Sequence, residues 1–337
     1  MRVLLDHPWP FQLAHGGLQI QIEQTRLALE AAGVQAEWLR WWDPAQRGDL
    51  IHYFGRMPLA QLRMARQKGL RVVVADLLTG HGSRPPWRHA LHRGARWFLD
   101  RPFMRPFVGA NLTWQAYQEA DACVALTPVE ADILIRVYGA PAARVVVVPN
   151  GVEREFLESA PAERGPWLVC TATITPRKRV LELARAAAAA QTPLWILGQP
   201  YVSDDPYHLE FLRLVQAHPR WLRYEGPVNE RAALARIYRQ ARGFVLLSTM
   251  ESQSLSALEA AACECPLLLS DLPWARRSFG DAARYCPVPA SLDVTAVCLR
   301  RFYEQAPEAP RAPRPPGWPD IARQLKALYQ RLLSTSS

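Results

Sequence analysis

Short apolar runs alternate along this chain with stretches whose apolar residues fall three and four apart, the spacing of one helical face. The first run, Arg2 to Asp6, predicts a buried strand. Ile20, Ile22, Leu27, Leu29 and Ala31 then ride on a helix that closes at Gly33, the place of a C-cap glycine. Further strands are predicted at 34–41, 49–54, 70–75, 122–126 and 144–148, with one helix over 59–68 and another running to Tyr138. A polar stretch without periodicity follows at 153–165, and then the alternation starts afresh. Strands are predicted at 167–171, 193–198, 222–226, 243–247, 267–270 and 283–286, with helices over 180–190, up to His218, over 230–241 and from 255. Strands separated by helical spans mean βα units and parallel sheets. The expected fold class is therefore α/β: two Rossmann-like doubly wound domains, residues 1–155 and 165–317, with the default ligand site in a cleft between them. The proline-rich span 306–319 excludes regular helix, after which Trp318-Pro319-Asp320 opens an amphipathic helix to Leu333, Asp320 favouring its first turn electrostatically.

Composition sharpens this picture. The length, 337 residues, suits two domains of about 150 residues each, and 49% hydrophobic content is that of a globular protein. No apolar run reaches the about 18 residues of a membrane span. The first apolar run is too short for a signal peptide and no small-residue cleavage site follows it, so a cytoplasmic location is expected. The six cysteines sit in apolar patterns, and Cys263 and Cys265, only two apart, lack metal-ligand spacing; reduced core thiols are expected. A net charge of +9 suits a phosphate-bearing or polyanionic partner, or an anionic membrane surface. No nucleic-acid-binding motif accompanies it.

Candidate chemistry centres on the stretch from Met250 to Pro266. It follows the strand at 243–247, places Glu251 on the loop and Glu259 in the next helix, and sets Ser252, Ser254 and Ser256 between them. A loop at the carboxyl end of a strand in an open α/β sheet lies in the ligand crevice, and the helix start after it offers unpaired N–H groups to an anion. The plainer alternative is a strand-loop-helix unit in which Ser256 merely caps the helix. Gly16-Gly17, after the first strand, allows close backbone approach to a phosphate or sugar, or is a plain turn. Asp76 and His81 leave a strand at its carboxyl end and, with His15, are candidates to face an acceptor; a satisfied loop histidine is the alternative. Residues 84–107 carry Arg84, Arg88, Arg93, Arg96, Arg101 and Arg105 interleaved with Trp87, Trp97, Phe98, Phe103 and Phe107, with Asp100 as the one acid. Such a segment reads either as an interfacial element on an anionic bilayer or as a helix packed on its own domain with its arginines in solvent.

In this order the motifs resemble the retaining glycosyltransferases of family four, which have the GT-B fold. The residues that carry the resemblance are Gly16-Gly17, Pro149-Asn150-Gly151-Val152, Lys178 after the first strand of the second half, Gly198 ending its second strand, and Glu251 and Glu259 with seven residues between them. The closing helix at 318–333 resembles the family's last helix, which crosses back onto the first domain. The resemblance implies a nucleotide-diphosphate sugar donor bound mainly by the second domain. Glu259 would accept hydrogen bonds from the ribose, and backbone amides around Ser254, Leu255 and Ser256 would hold the diphosphate. Lys178 would neutralise the leaving phosphate, Glu251 would bind hydroxyls of the transferred sugar, and Gly16 and Gly17 would close over the donor, with Gly198 on the donor side. It further implies transfer with retention, the leaving phosphate accepting the acceptor's proton, and neither metal nor cofactor. The acceptor is unspecified; a lipid-linked or cell-envelope glycan, reached by a protein peripheral to the inner face of the membrane, is the expectation. The chain departs from the family pattern at three places. Ala172 and Thr173 stand where an arginine is usual, with Arg177 or Arg179 as candidate substitutes. Glu264 stands where glycine is usual, and the serine-rich 252–256 replaces a Pro-Phe-Gly type sequence. Two other functions compete: a catalytically silent GT-B subunit binding a glycan or protein partner, and a GT-B sugar-nucleotide epimerase.

Overall fold

A computed structural model describes residues 1–11, 16–84, 86–99, 101, 114–158 and 162–334. The chain divides into two compact units, Met1–Asn150 with Trp318–Ser337, and Gly151–Gly317. The first contains β1 (Arg2–Asp6), α1 (Gly17–Ala31), β2 (Gln35–Trp38), β3 (Leu50–Tyr53), α2 (Leu59–Gln67), β4 (Arg71–Val74), α3 (Pro86–Leu99), β5 (Ala122–Ala125) and β6 (Val145–Val147). Its strands form one parallel sheet in the order β2-β1-β3-β4-β5-β6. Val3, Leu4 and Leu5 of β1 and all of β3 are buried, as expected for parallel strands covered on both faces. At the end of α1 the amide of Val34 donates to Leu29 O and that of Gly33 to Glu30 O, with Gly33 at φ +78°; this is a Schellman closure, which a Cβ-free residue adopts without strain. The helix expected to run to Tyr138 is in fact composite. Thr127 caps a short helical turn, Pro128–Asp132, which widens into a π-helix over Ile133–Val137 and stops at Gly139.

The second unit contains β7 (Leu168–Thr171), α4 (Val180–Ala189), β8 (Leu194–Leu197), α5 (Pro206–Ala217), β9 (Leu222–Tyr224), α6 (Arg231–Gln240), β10 (Gly243–Leu246), α7 (Leu255–Ala262), β11 (Leu267–Ser270), α8 (Pro273–Phe279), β12 (Ala283–Cys286) and α9 (Leu292–Gln305). Its sheet, again parallel, runs β12-β11-β10-β7-β8-β9. The chain starts in the middle of this sheet, builds β8 and β9 to one side, then crosses to β10 on the other. The point where the order reverses, between β7 and β10, is where an open α/β sheet leaves a crevice at the strands' carboxyl ends.

The units part between Asn150 and Gly151, ahead of the polar stretch at 153–165. Two apolar residues within or beside that stretch explain why. Val152 pairs with Gly317 and donates its amide to Pro316 O at 3.0 Å, while Phe156, in the short helix Arg154–Leu157, is fully buried against Tyr238, their ring centroids 6.0 Å apart. Polarity along the sequence masked these anchors.

The last helix, α10 (Trp318–Ser334), belongs to the first unit. It buries Trp318, Ile321, Ala322, Leu325, Leu328 and Tyr329, a stripe at helical spacing. Lys326 Nζ donates to Ala32 O at 2.7 Å, placing a cation on the C-terminal carbonyls of α1. Tyr329 Oη lies 2.6 Å from Nδ1 of His52, whose imidazole is pushed down to about 3 by burial and is therefore neutral. Among the described residues no helix is long and apolar enough to cross a membrane. All six cysteines are free, five buried and Cys298 half-buried.

Candidate functional site

The loops that follow β7 and β10 are joined to each other. After β7, Thr175 caps a single tight turn, Pro176–Lys178, and Arg179 at φ +53° starts α4. After β10, the amide of Thr249 donates to Arg177 O at 2.9 Å and its hydroxyl reaches the same oxygen at 3.3 Å. This fixes the Arg177-Lys178 pair against the chain leaving β10. Lys178 Nζ donates to Glu251 Oε1, and Arg177 Nη1 donates to the same oxygen at 3.2 Å and to Met250 O at 3.1 Å. Burial alone would raise the Glu251 carboxyl, but the Lys178 and Arg177 charges outweigh it and hold the group below its ordinary value. Glu251 is thus a buried, ionised carboxylate under two cations. Arg179, the other candidate for the usual arginine, instead donates to Ala290 O at 3.2 Å; Arg177 is the one that joins Lys178.

Beyond Glu251 the chain enters α7 through Ser254, whose hydroxyl accepts from the amide of Ala257 at 3.4 Å and lies 3.1 Å from Ser256 Oγ. The capping serine is therefore Ser254; Ser256 already lies in the first turn, because the residue before the first helical one supplies the cap. The amides of Leu255 and Ser256 stand in that turn, where intrahelical acceptors run out. On the other side of β7, Gly198 sits at φ +143°, and a Cβ there would lie 2.0 Å from Ala172 O. Only glycine lets the chain leaving β8 lie against that leaving β7.

Glu259 forms a second cluster. Its side chain is 4% exposed, and Arg231 at the start of α6 donates to Oε1. Tyr238 Oη donates to Oε2 at 3.3 Å and lies 2.5 Å from Thr171 Oγ1 at the end of β7. Arg231 Nε is also 2.8 Å from Glu153 Oε1. Burial raises the Glu259 carboxyl, Arg231 opposes this, Glu153 adds to it, and the net direction is up. Arg231, Glu153 and Tyr238 have no signature in the sequence, since they lie well away from Glu259 along the chain and only the fold assembles them.

In the first unit, Gly16 at φ +139° precedes Gly17, which starts α1; His15 lies outside the described residues. Asp76 accepts from Tyr117 Oη, which in turn accepts from Arg56 Nε at 2.7 Å. His81 Nε2 lies 2.8 Å from Tyr138 Oη, and the Tyr117 and Tyr138 rings, 5.1 Å apart, connect the two groups. Burial raises the Asp76 carboxyl; burial, with the nearby Arg84, His92 and Arg56 charges, lowers His81 to about 4, so its imidazole is neutral at physiological pH.

The basic segment proves to be helix α3, with Asp100, Phe103, Arg105 and Phe107 outside the described residues. Its half-buried positions are His89, Arg96 and Leu99, and His89 lies 2.9 Å from His81 O. Trp87, Leu91, Trp97 and Phe98 are 59, 63, 61 and 47% exposed. At 100° per residue Trp87, Leu91 and Phe98 share one stripe, so the helix turns an apolar stripe outward and a polar one inward.

Two sequence families cover most of the chain. Residues 16–156 match Glycosyltransferase Family 4, and residues 165–293 match Glycosyl transferases group 1. The chain belongs to the family-four glycosyltransferases. Among curated relatives, this family member is 32% identical over 177 residues to a D-inositol 3-phosphate glycosyltransferase of Actinosynnema mirum, covering 46% of this chain and 42% of that protein. It is 29% identical over 168 residues to the O-antigen chain mannosyltransferase B of Escherichia coli, covering 44% and 43%. The matched part thus spans under half the length of those relatives. Among solved structures, a sucrose-phosphate synthase from Thermosynechococcus elongatus superposes over 100% of both chains with a TM-score of 0.73 at 18% identity. Anabaena HepE, solved with UDP and glucose, covers 99% of each chain with a TM-score of 0.59 at 12% identity. At these identities the likeness establishes the fold, two Rossmann-like domains of the GT-B class.

Proposed function

We propose that this family member transfers a sugar from a nucleotide-diphosphate donor, held by the second unit, to an acceptor hydroxyl with retention of configuration. One observation carries the reading: Lys178 and Arg177 converge on ionised Glu251 at the switch point between β7 and β10, and a serine-capped helix start follows in the same loop. Two cations and unpaired amides suit a diphosphate, whose charge grows as the bond from the sugar's anomeric carbon to the phosphate oxygen breaks. The new bond to the acceptor oxygen forms on the face the diphosphate leaves, and the acceptor proton passes to that leaving phosphate. Glu251, held ionised, is an acceptor of hydrogen bonds from the transferred sugar's hydroxyls rather than a proton donor. Glu259 keeps lone pairs beyond those used by Arg231 and Tyr238, enough to accept from ribose hydroxyls. In this reading Lys178, Arg177 and the amides neutralise the leaving group without a resident metal. Gly16, Gly17, Asp76 and neutral His81 are assigned to the first unit's side of the reaction.

A panel of UDP-, GDP- and ADP-sugars tests this by thermal shift and by transfer. One nucleotide at about 100 times its Kd is expected to stabilise the protein by about 2.7 kcal/mol, a rise in Tm of roughly 5–10 °C. No shift with any donor would sink the reading, and a shift without transfer would favour the silent-subunit alternative.

The acceptor we propose is lipid-linked, presented at an anionic bilayer that α3 meets with its outward stripe. Trp87, Leu91 and Phe98 would enter the acyl boundary while Arg84, Arg88, Arg93 and Arg101 meet headgroups. The protein is expected to cosediment with vesicles containing phosphatidylglycerol, less so at high salt, and W87A/L91A is expected to lose most of that binding. Cosedimentation indifferent to lipid charge and to both substitutions would reject the docking surface.

A further inference from the structure

A cavity of about 490 Å³ opens in the second unit at the C-terminal end of α7, with Arg164, Arg239, Arg311, Arg314, Ala262 and Glu264 in its walls. The cavity lies at the other end of α7 from the capped start at Ser254, about 12 Å along a helix of eight residues, and neither Lys178, Glu251 nor Glu259 lines it. The charges in its walls do not cancel. Arg311 is paired with Glu264 at 3.0 Å, and Glu158, which also lines the cavity, is paired with Arg154 at 2.8 Å. Arg164, Arg239 and Arg314 have no carboxylate partner among the described residues; they are held instead by main-chain carbonyls. Arg164 donates to Ala241 O and Glu264 O, both at 2.8 Å, Arg239 to Glu158 O at 2.7 Å, and Arg314 to Leu157 O. Carbonyls orient a guanidinium without neutralising it, and the C-terminus of α7 contributes only about half a negative charge. The hydrogen bonds of Arg239 and Arg314 run through Nη2, so among the described residues Nε and Nη1 of both remain without a partner.

We propose that this cavity binds a phosphorylated small molecule carrying two or more negative charges. Arg239 and Arg314, pre-oriented and with unused fork donors, match phosphate oxygens, which accept bidentate hydrogen bonds, and Arg164 adds a third charge beside them. The volume admits a ligand of sugar-phosphate or nucleotide size. Occupancy would tie the turn at 154–158 to the end of α6 and to the chain after α7 through the same arginines that already bond their carbonyls.

Calorimetric titration of the full chain with inorganic pyrophosphate, in the presence of saturating UDP, tests the site. One equivalent of pyrophosphate is expected to bind, with affinity falling as salt rises. R239Q/R314Q removes two charges and is expected to weaken binding at least tenfold. Because those arginines also staple the chain, A262E supplies a second variant: it leaves every arginine in place and puts a carboxylate in the cavity wall at a small cost in helix propensity. It too is expected to weaken pyrophosphate at least tenfold, with Tm and UDP binding unchanged. Absence of pyrophosphate binding to the wild type, or binding that A262E leaves intact, overturns the proposal. Should UDP itself fail to bind, the proposed donor fails, but the response of pyrophosphate to A262E still decides this site.

Discussion

Lys178→Gln is expected to lower kcat by about 100–1,000-fold, the range seen when one pre-positioned donor to a developing anion is removed, while KM for the donor changes far less. Lys178 Nζ sits on Glu251 Oε1 beside Arg177, so the diphosphate would still find a cation and the amides of α7 in the ground state. What is lost is charge where the leaving oxygen becomes most negative. The variant also alters Glu251. In the wild type its carboxyl lies below the ordinary value, so its stabilisation is present above the unfolded-state value and disappears only as pH falls through the lower, folded one. Without Lys178 the folded value moves up, and both activity and stability are expected to fail at a higher pH on the acid side. Steady-state kinetics from pH 4 to 8 measure both effects. A kcat within about threefold of wild type would remove Lys178 from the mechanism.

Arg231→Met is expected to cost about 3–5 kcal/mol of unfolding free energy at neutral pH, the penalty of stranding a buried charge. Arg231 lies between Glu259 and Glu153, and Tyr238 alone cannot replace it. The sign of the pH dependence is fixed by Glu259, whose folded value is already raised. A raised carboxyl favours the folded state while protonated and penalises it as pH climbs through the folded value, and losing Arg231 raises that value further. The deficit of R231M is therefore expected to shrink as pH falls. Adding Glu259→Gln, which removes the stranded charge, is expected to recover at least half of it. Urea unfolding of wild type, single and double variants measures this cycle. A deficit below about 1 kcal/mol, or no recovery in the double variant, would mean that Glu259 does not depend on Arg231.

These two arginine and lysine clusters show what could be read along the chain and what could not. The two parallel sheets were legible because strand and helix periods are local: each run of Val, Leu and Ile announced itself, and Gly33 marked the end of α1. Glu251 and Glu259 were legible as acids flanking a helix start, and Lys178 was legible through family likeness. Arg231, the partner of Glu259, was not, because pairing across 28 residues depends on which loops a sheet order brings side by side. Ser256 was offered as the cap that Ser254, two residues earlier, supplies, because capping is decided by where the first turn starts. The unit boundary differs for a similar reason: Val152, Phe156 and Leu157 are a few apolar residues in polar surroundings, too sparse to form a period. In the segment that forms α3 the composition left two readings open, an interfacial element or a helix packed on its own domain, and carried no sign of which side faces the protein; contact with His81 O puts His89 inward and leaves Trp87 and Trp97 exposed.

The return of α10 to the first unit has a consequence for biosynthesis. Residues 1–150 leave the ribosome first, yet the surface of α1 on which Lys326 caps Ala32, and the His52 to which Tyr329 is bound, stay without their partners until residue 318 onward has been made. At about 5–20 residues per second that interval is roughly 10–30 s. The second unit, continuous in sequence, is translated in full within it. The amino-terminal half is thus the last to be completed, and it waits with an apolar face open while the carboxyl-terminal half closes on itself.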